Sequence, residues 1–320
     1  MKLRLARLLA GLALIALAAA SGSCSLKRFV ANSAGNALAS GPDVFSSDND
    51  PELVRDAVPF GLKTMESLLA VVPNNRNLLL AACRGFTQYG VGFIQADAEV
   101  AEATDHERAV ELTERARRMF VRARDYGLRN LDLTHKGVAA QLSLDPQSAV
   151  KRLTVKDVPV LFWTAAAWGS AIAAGKDHPE LVADLPAVRA LIERAVVLNE
   201  GYEGGSLHEA MILLEAMPRE MGGSPEAARR HFDRAIALSN GTHAGPYLTY
   251  AQSVSVMTQN KTEWRELLEK ALAIDPDRDS THRLVNIVTQ RRARWLLARE
   301  SDYFLDAGSP TDSTQTEESH

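Results

Sequence analysis

Cysteine is nearly absent from this chain, since only two of its 320 residues are Cys. Cys83 lies within an apolar run, where a lone Cys usually packs as a small hydrophobic side chain. With so few cysteines, a disulfide framework is excluded and the hydrophobic core must stabilise the fold. An excess of positive charge is also lacking, because the net charge is −4. We therefore expect no nucleic-acid partner.

Motifs for catalysis or cofactor binding are missing too. His208-Glu209 begins like a zinc-protease motif, but the second histidine of that motif would fall at Ile212. The segment 204–208, Gly-Gly-Ser-Leu-His, resembles a nucleophile elbow but has no final glycine and no strand before it. The eight histidines are scattered along the chain. We therefore predict no enzyme, no cofactor and no metal site, the alternative being a catalytic site assembled from distant residues.

Long apolar runs are few, and the two most prominent have different interpretations. Leu8–Ala20 follows three basic residues and precedes small ones, which is typical of a secretory signal. We therefore predict a signal peptide at 1–23. The run 158–174 has no charged residue, but it contains Pro159 and is shorter than the roughly 20 residues that span a membrane. We interpret it as a helix buried on all sides in the middle of the fold.

Cys24 follows the small residues directly, as in bacterial lipoprotein signals. In such signals the thiol takes a diacylglyceryl group, and cleavage makes the cysteine the first residue. Ser21 departs from the aliphatic residue usual at that position, so ordinary cleavage after Ala20, leaving Cys24 a free thiol, is the alternative. Lipidation would tether the protein stably to a bacterial membrane, since each buried methylene of the acyl chains contributes about 0.8 kcal/mol. We expect that membrane to be the outer membrane.

Helix signals recur through the rest of the chain. Asp50-Pro51-Glu52 and Ser224-Pro225-Glu226 each combine a capping residue, a proline at the first helical position and an acid in the first turn. Gly127 is expected to end a helix that begins near Asp105. We predict a linker with a short helix at 24–50, a helical repeat domain at 51–306 and a disordered tail at 307–320.

One pattern occurs twice near the C-terminus. Arg234-Ala-Ile-Ala-Leu238 and Lys270-Ala-Leu-Ala-Ile274 each precede a polar turn, and their first alanines are 36 residues apart. This spacing is close to the tetratricopeptide period of about 34 residues, in which helical hairpins stack. A similar ending occurs at 194–198. We therefore predict an all-α fold of stacked helical hairpins, a degenerate tetratricopeptide-like α-solenoid or bundle.

Two sets of side chains are candidates for binding. The arginines of the helix 105–126 form either a solvated surface or a site for an acidic partner or lipid headgroups; they are Arg108, Arg115, Arg117, Arg118, Arg122 and Arg124. The aromatic candidates either pack in the core or line a cavity for an apolar or amphipathic ligand; they are Phe86, Tyr89, Phe93, Phe162, Trp163, Trp168, Tyr247 and Tyr250.

Two further details bear on the cavity. Trp163 and Trp168 are about 140° apart around a helix, so at most one should face a cavity squarely. Glycines at 85, 90 and 92 indicate close helix approach or a bulky neighbour, and would leave room beside the aromatic residues of their helix.

Several segments resemble the T component of tripartite ATP-independent periplasmic (TRAP) transporters. The resemblance covers about 24–306, and its most specific blocks are Gly241–Val256 and Arg283–Arg299. It implies a membrane-tethered periplasmic helical protein that forms a homotrimer, meets the solute-binding P component and handles a hydrophobic or amphipathic ligand. It implies no catalytic residues. The alternative is a generic tetratricopeptide-type lipoprotein that assembles envelope complexes without a small ligand.

Overall fold

The computed structural model describes residues 26–40 and 44–305, which form helices and turns without a β-strand. The predicted all-α fold is therefore confirmed. Within these two ranges every helix is either too short or too polar to cross a lipid bilayer. The predicted signal peptide, the lipidation site Cys24 and the predicted tail at 307–320 lie outside the described residues.

The helices follow one another closely. The first eight are α1 (26–40), α2 (Pro51–Val71), α3 (Arg76–Tyr89), α4 (Ala96–Glu102), α5 (His106–Thr134), α6 (Val138–Leu144), α7 (Pro146–Val150) and α8 (Val158–Ala174). The next are α9 (Pro179–Val182), α10 (Leu185–Asn199), α11 (Ser206–Glu215), α12 (Pro225–Leu238), α13 (Gly245–Tyr250), α14 (Lys261–Leu272) and α15 (Arg283–Leu297). Two π-helical segments, Gly90–Gln95 and Ala251–Ser255, continue α3 and α13.

Capping explains where two of these helices begin. The Asp50 carboxylate accepts hydrogen bonds from the first backbone amides of α2 at 3.1 Å, and Pro51 occupies the first position. The Ser224 hydroxyl accepts from the Ala227 amide at 3.2 Å at the start of α12. Each cap satisfies amide groups that have no partner within their own helix. Both predicted starts are confirmed.

Gly127 does not end its helix, so that prediction is wrong. α5 continues through Gly127 to Thr134. A Cβ atom at position 127 would lie 2.1 Å from the hydroxyl oxygen of Thr164 on α8. The glycine is therefore needed for the close approach of α5 and α8. That packing outweighs the cost of a glycine inside a helix, which is about 1 kcal/mol relative to alanine.

α8 lies in the middle of the first half of the fold, against α3, α5 and α10. Buried side chains point from all its sides, from Val158 near its start to Ile172 near its end. The prediction of a helix buried all round is confirmed.

The repeated pentapeptides mark the ends of three equivalent helices. They lie at the C-terminal ends of α10, α12 and α14, and their second residues, Ala195, Ala235 and Ala271, are each 0% exposed. Each of these helices pairs with the next one, as α10–α11, α12–α13 and α14–α15, and successive pairs contact one another. A small side chain at these positions allows close packing between hairpins. The predicted stack of helical hairpins is therefore present.

The apolar side chains form two separate cores. One extends from Leu62 to Leu214, and the other from Ile212 to Phe304. α11 contributes to both, because Met211 and Leu214 face the first core while Ile212 faces the second. This helix therefore joins the two halves of the chain.

The last helix also returns to the early part of the described chain, at residues 46–99. The Leu284 amide donates to the Ser46 carbonyl at 3.0 Å, and Arg292 Nη2 lies 2.5 Å from Glu99 Oε1. We call this the closure contact. It comprises Ser46, Ser47, Glu52 and Glu99 on one side and Arg283, Leu284, Arg291 and Arg292 on the other. α11 and the closure contact both connect the two cores.

Candidate functional site

The two tryptophans of α8 face different neighbours, as their spacing predicts. Trp163 packs edge-on against Phe162, with ring centroids 4.9 Å apart, and the Arg84 guanidinium lies 5.6 Å from its ring. Trp168 is 2% exposed, and its indole Nε1 donates to Asp184 Oδ2 at 3.1 Å. The Arg124 guanidinium also lies 5.4 Å from the Trp168 ring, so each tryptophan has an arginine beside it. Trp168 is nevertheless a fully packed core residue, whereas Trp163, at 8% exposed, belongs to a mixed aromatic and charged group.

We call that group the Arg84 cluster; it comprises Arg84, Phe162, Trp163 and Tyr202. Tyr202 lies 5.7 Å from Phe162 between ring centroids, and its hydroxyl donates to Glu203 Oε1 at 3.0 Å. Burial raises the pKa of Tyr202, so its hydroxyl remains a hydrogen-bond donor. The cluster combines aromatic faces with a permanent positive charge, which suits a molecule with an apolar body and a negative or polar end.

Arg84 also connects the cluster to the closure contact. Its Nη2 donates to the Ser46 hydroxyl at 3.2 Å, and its Nε donates to Gln88 at 3.2 Å. Sequence reasoning missed Arg84 and Tyr202. Arg84 did carry a signal, since it is the single charge in the apolar run 78–86. Tyr202 stands in a glycine-rich turn, where nothing in the sequence connects it with Trp163.

Tyr89 and Phe93 lie where α3 passes into its π-helical segment. Their ring centroids are 5.5 Å apart, and the Arg55 guanidinium lies 5.9 Å from the Phe93 ring. Arg55 is paired with Asp97. π-Helical turns within α-helices are frequent at functional sites, because they redirect side chains. Phe93 is partly exposed, whereas Tyr89 is buried.

Tyr247 and Tyr250 precede the second π-helical segment in a similar way. Both pack on Phe232, at centroid distances of 5.6 and 4.8 Å. The Arg229 guanidinium lies 5.3 Å from the Phe232 ring and 5.9 Å from the Tyr250 ring. This group belongs to the second core, whereas the Arg84 cluster belongs to the first.

Phe86 stands apart from the other aromatic candidates. It faces Tyr126 at 6.1 Å between centroids, with the Arg122 guanidinium 5.3 Å from its ring. At Gly85 and Gly90 the interpretation of close approach or a bulky neighbour is confirmed, and the room expected beside a cavity is not found. A Cβ there would lie 2.8 Å from Leu62 Cδ2 and 2.4 Å from Phe120 Cε1, respectively, so both serve close packing.

The predicted aromatic residues therefore form separate groups rather than one site. Only Phe162 and Trp163 share a cluster with a charged side chain that reaches the closure contact. Gly92, in the π-helical segment that continues α3, does have open space beside it, since a Cβ there would meet no atom within 4 Å.

Glu209 is a carboxyl group on α11, the helix shared by the two cores. Its Oε1 accepts a hydrogen bond from the Thr249 hydroxyl at 2.9 Å. Burial raises its pKa to about 7, and the bond from Thr249 only partly opposes this effect. A Cβ at Gly245 would lie 2.6 Å from Glu209 Oε1, so α13 presses against the carboxylate.

Three side chains near the start of α13 could hold a metal ion. They are His243, Asp279 and His282, and their ligand atoms lie within 4.8 Å of one another. The sequence showed no metal motif because the two histidines are 39 positions apart and no short spacing connects them.

The raised pKa of Glu209 predicts a pH-dependent effect of Glu209→Gln. The carboxyl is uncharged when protonated, so its burial is unfavourable only as pH rises from 4.5, the ordinary glutamate value, through about 7. We expect the variant to be more stable than the wild type at pH 8, by about 1–3 kcal/mol, and equally stable near pH 4.5. Urea unfolding at both pH values measures this.

Glu66→Gln is the matched control. Burial alone would raise the pKa of Glu66, but Lys63, Tyr126 and Arg122 outweigh it and hold that pKa below its usual range. This variant should therefore lose stability at pH 8. A Glu209→Gln variant that is also destabilised at pH 8 would contradict the prediction.

Comparison with known proteins identifies the family. A protein of Treponema pallidum (strain Nichols), titled only "Uncharacterized protein", is 30% identical over 302 residues, which cover 88% of this chain and 94% of the relative. The family model described as "TRAP transporter T-component" matches residues 47–304. That range includes both cores, the Arg84 cluster and every residue of the closure contact except Ser46. The chain therefore belongs to the family of TRAP transporter T-components.

Proposed function

We propose that this protein is a non-enzymatic periplasmic scaffold that binds a hydrophobic or amphipathic ligand and relays it with the solute-binding P component of a TRAP transporter. Membership of the T-component family supports a role in such a system and a location in the cell envelope. The ligand, the oligomer and the partner are the proposed parts. The observation that carries the ligand-binding role is the Arg84 cluster.

The chemistry of the cluster supports an amphipathic ligand. Phe162 and Trp163 are each 8% exposed, so aromatic surface lies next to a guanidinium without being fully sealed. An arginine remains charged at any physiological pH, and a cation near an aromatic face contributes about 0.5–2 kcal/mol. An apolar tail would pack on the rings while an anionic or polar end meets Arg84.

The rival function is a scaffold for envelope complexes without a small ligand. Stacked helical hairpins commonly present binding surfaces to protein partners. Under this interpretation the aromatic rings only fill the core, and truncating any of them should cost a similar amount of stability. The two tryptophans of α8 distinguish the functions because they share a helix and a residue type but have different neighbours.

We predict that Trp163→Ala and Trp168→Ala differ. Trp168 is sealed in the core, so its truncation should cost about 3–5 kcal/mol of stability. Trp163→Ala should cost clearly less and abolish retention of the ligand, because one side of this ring would contact the ligand rather than protein. Thermal unfolding of both variants, beside mass spectrometry of the protein purified under native conditions, measures stability and bound ligand together.

The result that would contradict the ligand role is a wild type that carries no small molecule, together with two equally destabilised variants. That result would favour the rival function, a scaffold for envelope complexes without a small ligand. A ligand retained equally by the wild type and Trp163→Ala would place the binding site outside the Arg84 cluster.

We also propose a homotrimer, as the family resemblance implies, with the basic face of α5 at the contact. Arg115, Arg118 and Arg122 are exposed on this helix, where an acidic surface of a neighbouring chain would meet them. Light scattering on protein without acyl chains should give about three times the mass of one chain. Arg115→Glu with Arg118→Glu should weaken the assembly, whereas Lys270→Glu on α14 should not. A monomer at high micromolar concentration would contradict the proposal.

The membrane tether is proposed at Cys24. Two or more acyl chains provide stable anchoring, whereas a free thiol provides none. We expect Cys24→Ser to move the protein from the membrane fraction to the soluble periplasmic fraction, as measured by fractionation and immunoblotting. A wild type that is already soluble and begins at Ser21 would show ordinary signal cleavage instead.

A further inference from the structure

His243, Asp279 and His282 meet where the α12–α13 turn packs against the start of α15. His243 lies in that turn, His282 ends the 3₁₀ turn that leads into α15, and Asp279 caps the start of that 3₁₀ turn. His282 Nδ1 is 3.0 Å from Asp279 Oδ2, and His243 Nε2 is 3.6 Å from the same oxygen. Nitrogen atoms from both imidazoles therefore approach one carboxylate oxygen.

These distances are those of ligands around a single ion. Zinc binds imidazole nitrogen at about 2.0–2.1 Å and carboxylate oxygen at about 2.0–2.2 Å, so neighbouring ligand atoms are about 3.0–3.5 Å apart. The two nitrogen–oxygen separations, 3.0 and 3.6 Å, fall at or near this range. The three ligand atoms all lie within 4.8 Å of one another.

The carboxylate of Asp279 is already oriented for this role. Its Oδ1 accepts hydrogen bonds from the Thr281 amide at 3.0 Å and from the Thr281 hydroxyl at 2.6 Å. Oδ2 therefore remains as the atom that faces the two histidines. Hydrogen bonds to the second oxygen of a ligating carboxylate are a common feature of metal sites, where they fix the ligand in place.

His243 is held in place by a buried asparagine of α15. Asn286, which is 1% exposed, accepts from the Ala244 amide and donates to the Thr242 carbonyl, both at 2.9 Å. The backbone is therefore fixed on both sides of His243. Gly204 supports the ring from behind, since a Cβ there would lie 2.7 Å from His243 Cε1. The site is thus built by three separate parts of the chain.

A purely structural interpretation accounts for part of this arrangement. Asp279 and His282 could simply cap the turn before α15, with His243 stacked on His282 at 3.8 Å between centroids. Capping needs only the aspartate, however. It gives no reason for a second, buried imidazole with Nε2 directed at the same oxygen.

We propose that His243, Asp279 and His282 bind one divalent transition-metal ion of the zinc class. Two imidazoles and one carboxylate form a ligand set typical of zinc, and they leave at least one position open for water or an additional ligand. The ion would connect the α12–α13 turn to α15, the helix that also makes the closure contact.

The test uses the full chain, stripped of metal by a chelator and titrated with Zn²⁺ alone against a fluorescent zinc indicator. We expect one zinc per chain, confirmed by elemental analysis after dialysis, and a rise in melting temperature, since an ion that binds only the folded state stabilises it. Absence of stoichiometric binding in the wild type would overturn the proposal.

Three variants assign the site. His243→Ala and Asp279→Asn should weaken zinc binding by about tenfold or more and remove the thermal shift. Asp279→Asn retains an oxygen that can accept from Thr281, so it should fold even if His243→Ala does not. His178→Ala is the control, because His178 also has two nearby carboxylates, Asp177 at 3.9 Å and Glu180 at 3.1 Å, but on the surface.

The control should bind zinc like the wild type. Zinc that persists in folded Asp279→Asn with unchanged affinity, or that is lost in His178→Ala, would place the ion elsewhere and overturn the assignment. If Asp279→Asn folds normally and loses zinc binding, the assignment is supported even without the His243→Ala result.

Discussion

The closure contact is the interaction on which the arrangement of this molecule most depends. A stack of helical hairpins is open at both ends, because each hairpin packs only on its neighbours. Here α15 returns to α2 and the segment before it: the Leu284 amide donates to the Ser46 carbonyl, and Arg291 pairs with Glu52 of α2 at 2.6 Å. Exposed ion pairs contribute little individually, so the backbone hydrogen bond and the partly buried Arg292–Glu99 pair carry most of the specificity.

Closure has a functional consequence because Arg84 takes part on its inner side. The same guanidinium contacts Ser46 and lies over Trp163, so the aromatic cluster and the closure contact share one charged side chain. A ligand at the cluster would therefore affect the closure contact, and a change in closure would affect the ligand. Under the proposed function, this coupling would link ligand binding at the cluster to the closure contact.

Much of the fold could be predicted, because its signals are local. Capping residues, prolines at helix starts and the repeated pentapeptides each act over a few positions, and the structure has helices where they indicate them. The prediction that Gly127 ends its helix was wrong, because the glycine makes room for Thr164 on another helix. The candidate sites were harder to predict for the same reason. Tyr202 joins Trp163, and His243 joins His282, only after tertiary packing.

The distance between α2 and α15 in solution tests the closure contact most directly. Leu53 and Val285 are exposed, at 59% and 43%, and can carry nitroxide labels as cysteine substitutions, while Cys83 is fully buried. With Cys24 replaced by serine, double electron–electron resonance should show one narrow, short distance distribution. Arg292→Glu, which places two acids together at Glu99, should broaden it. A broad or long distribution in the protein with Arg292 intact would contradict a closed arrangement.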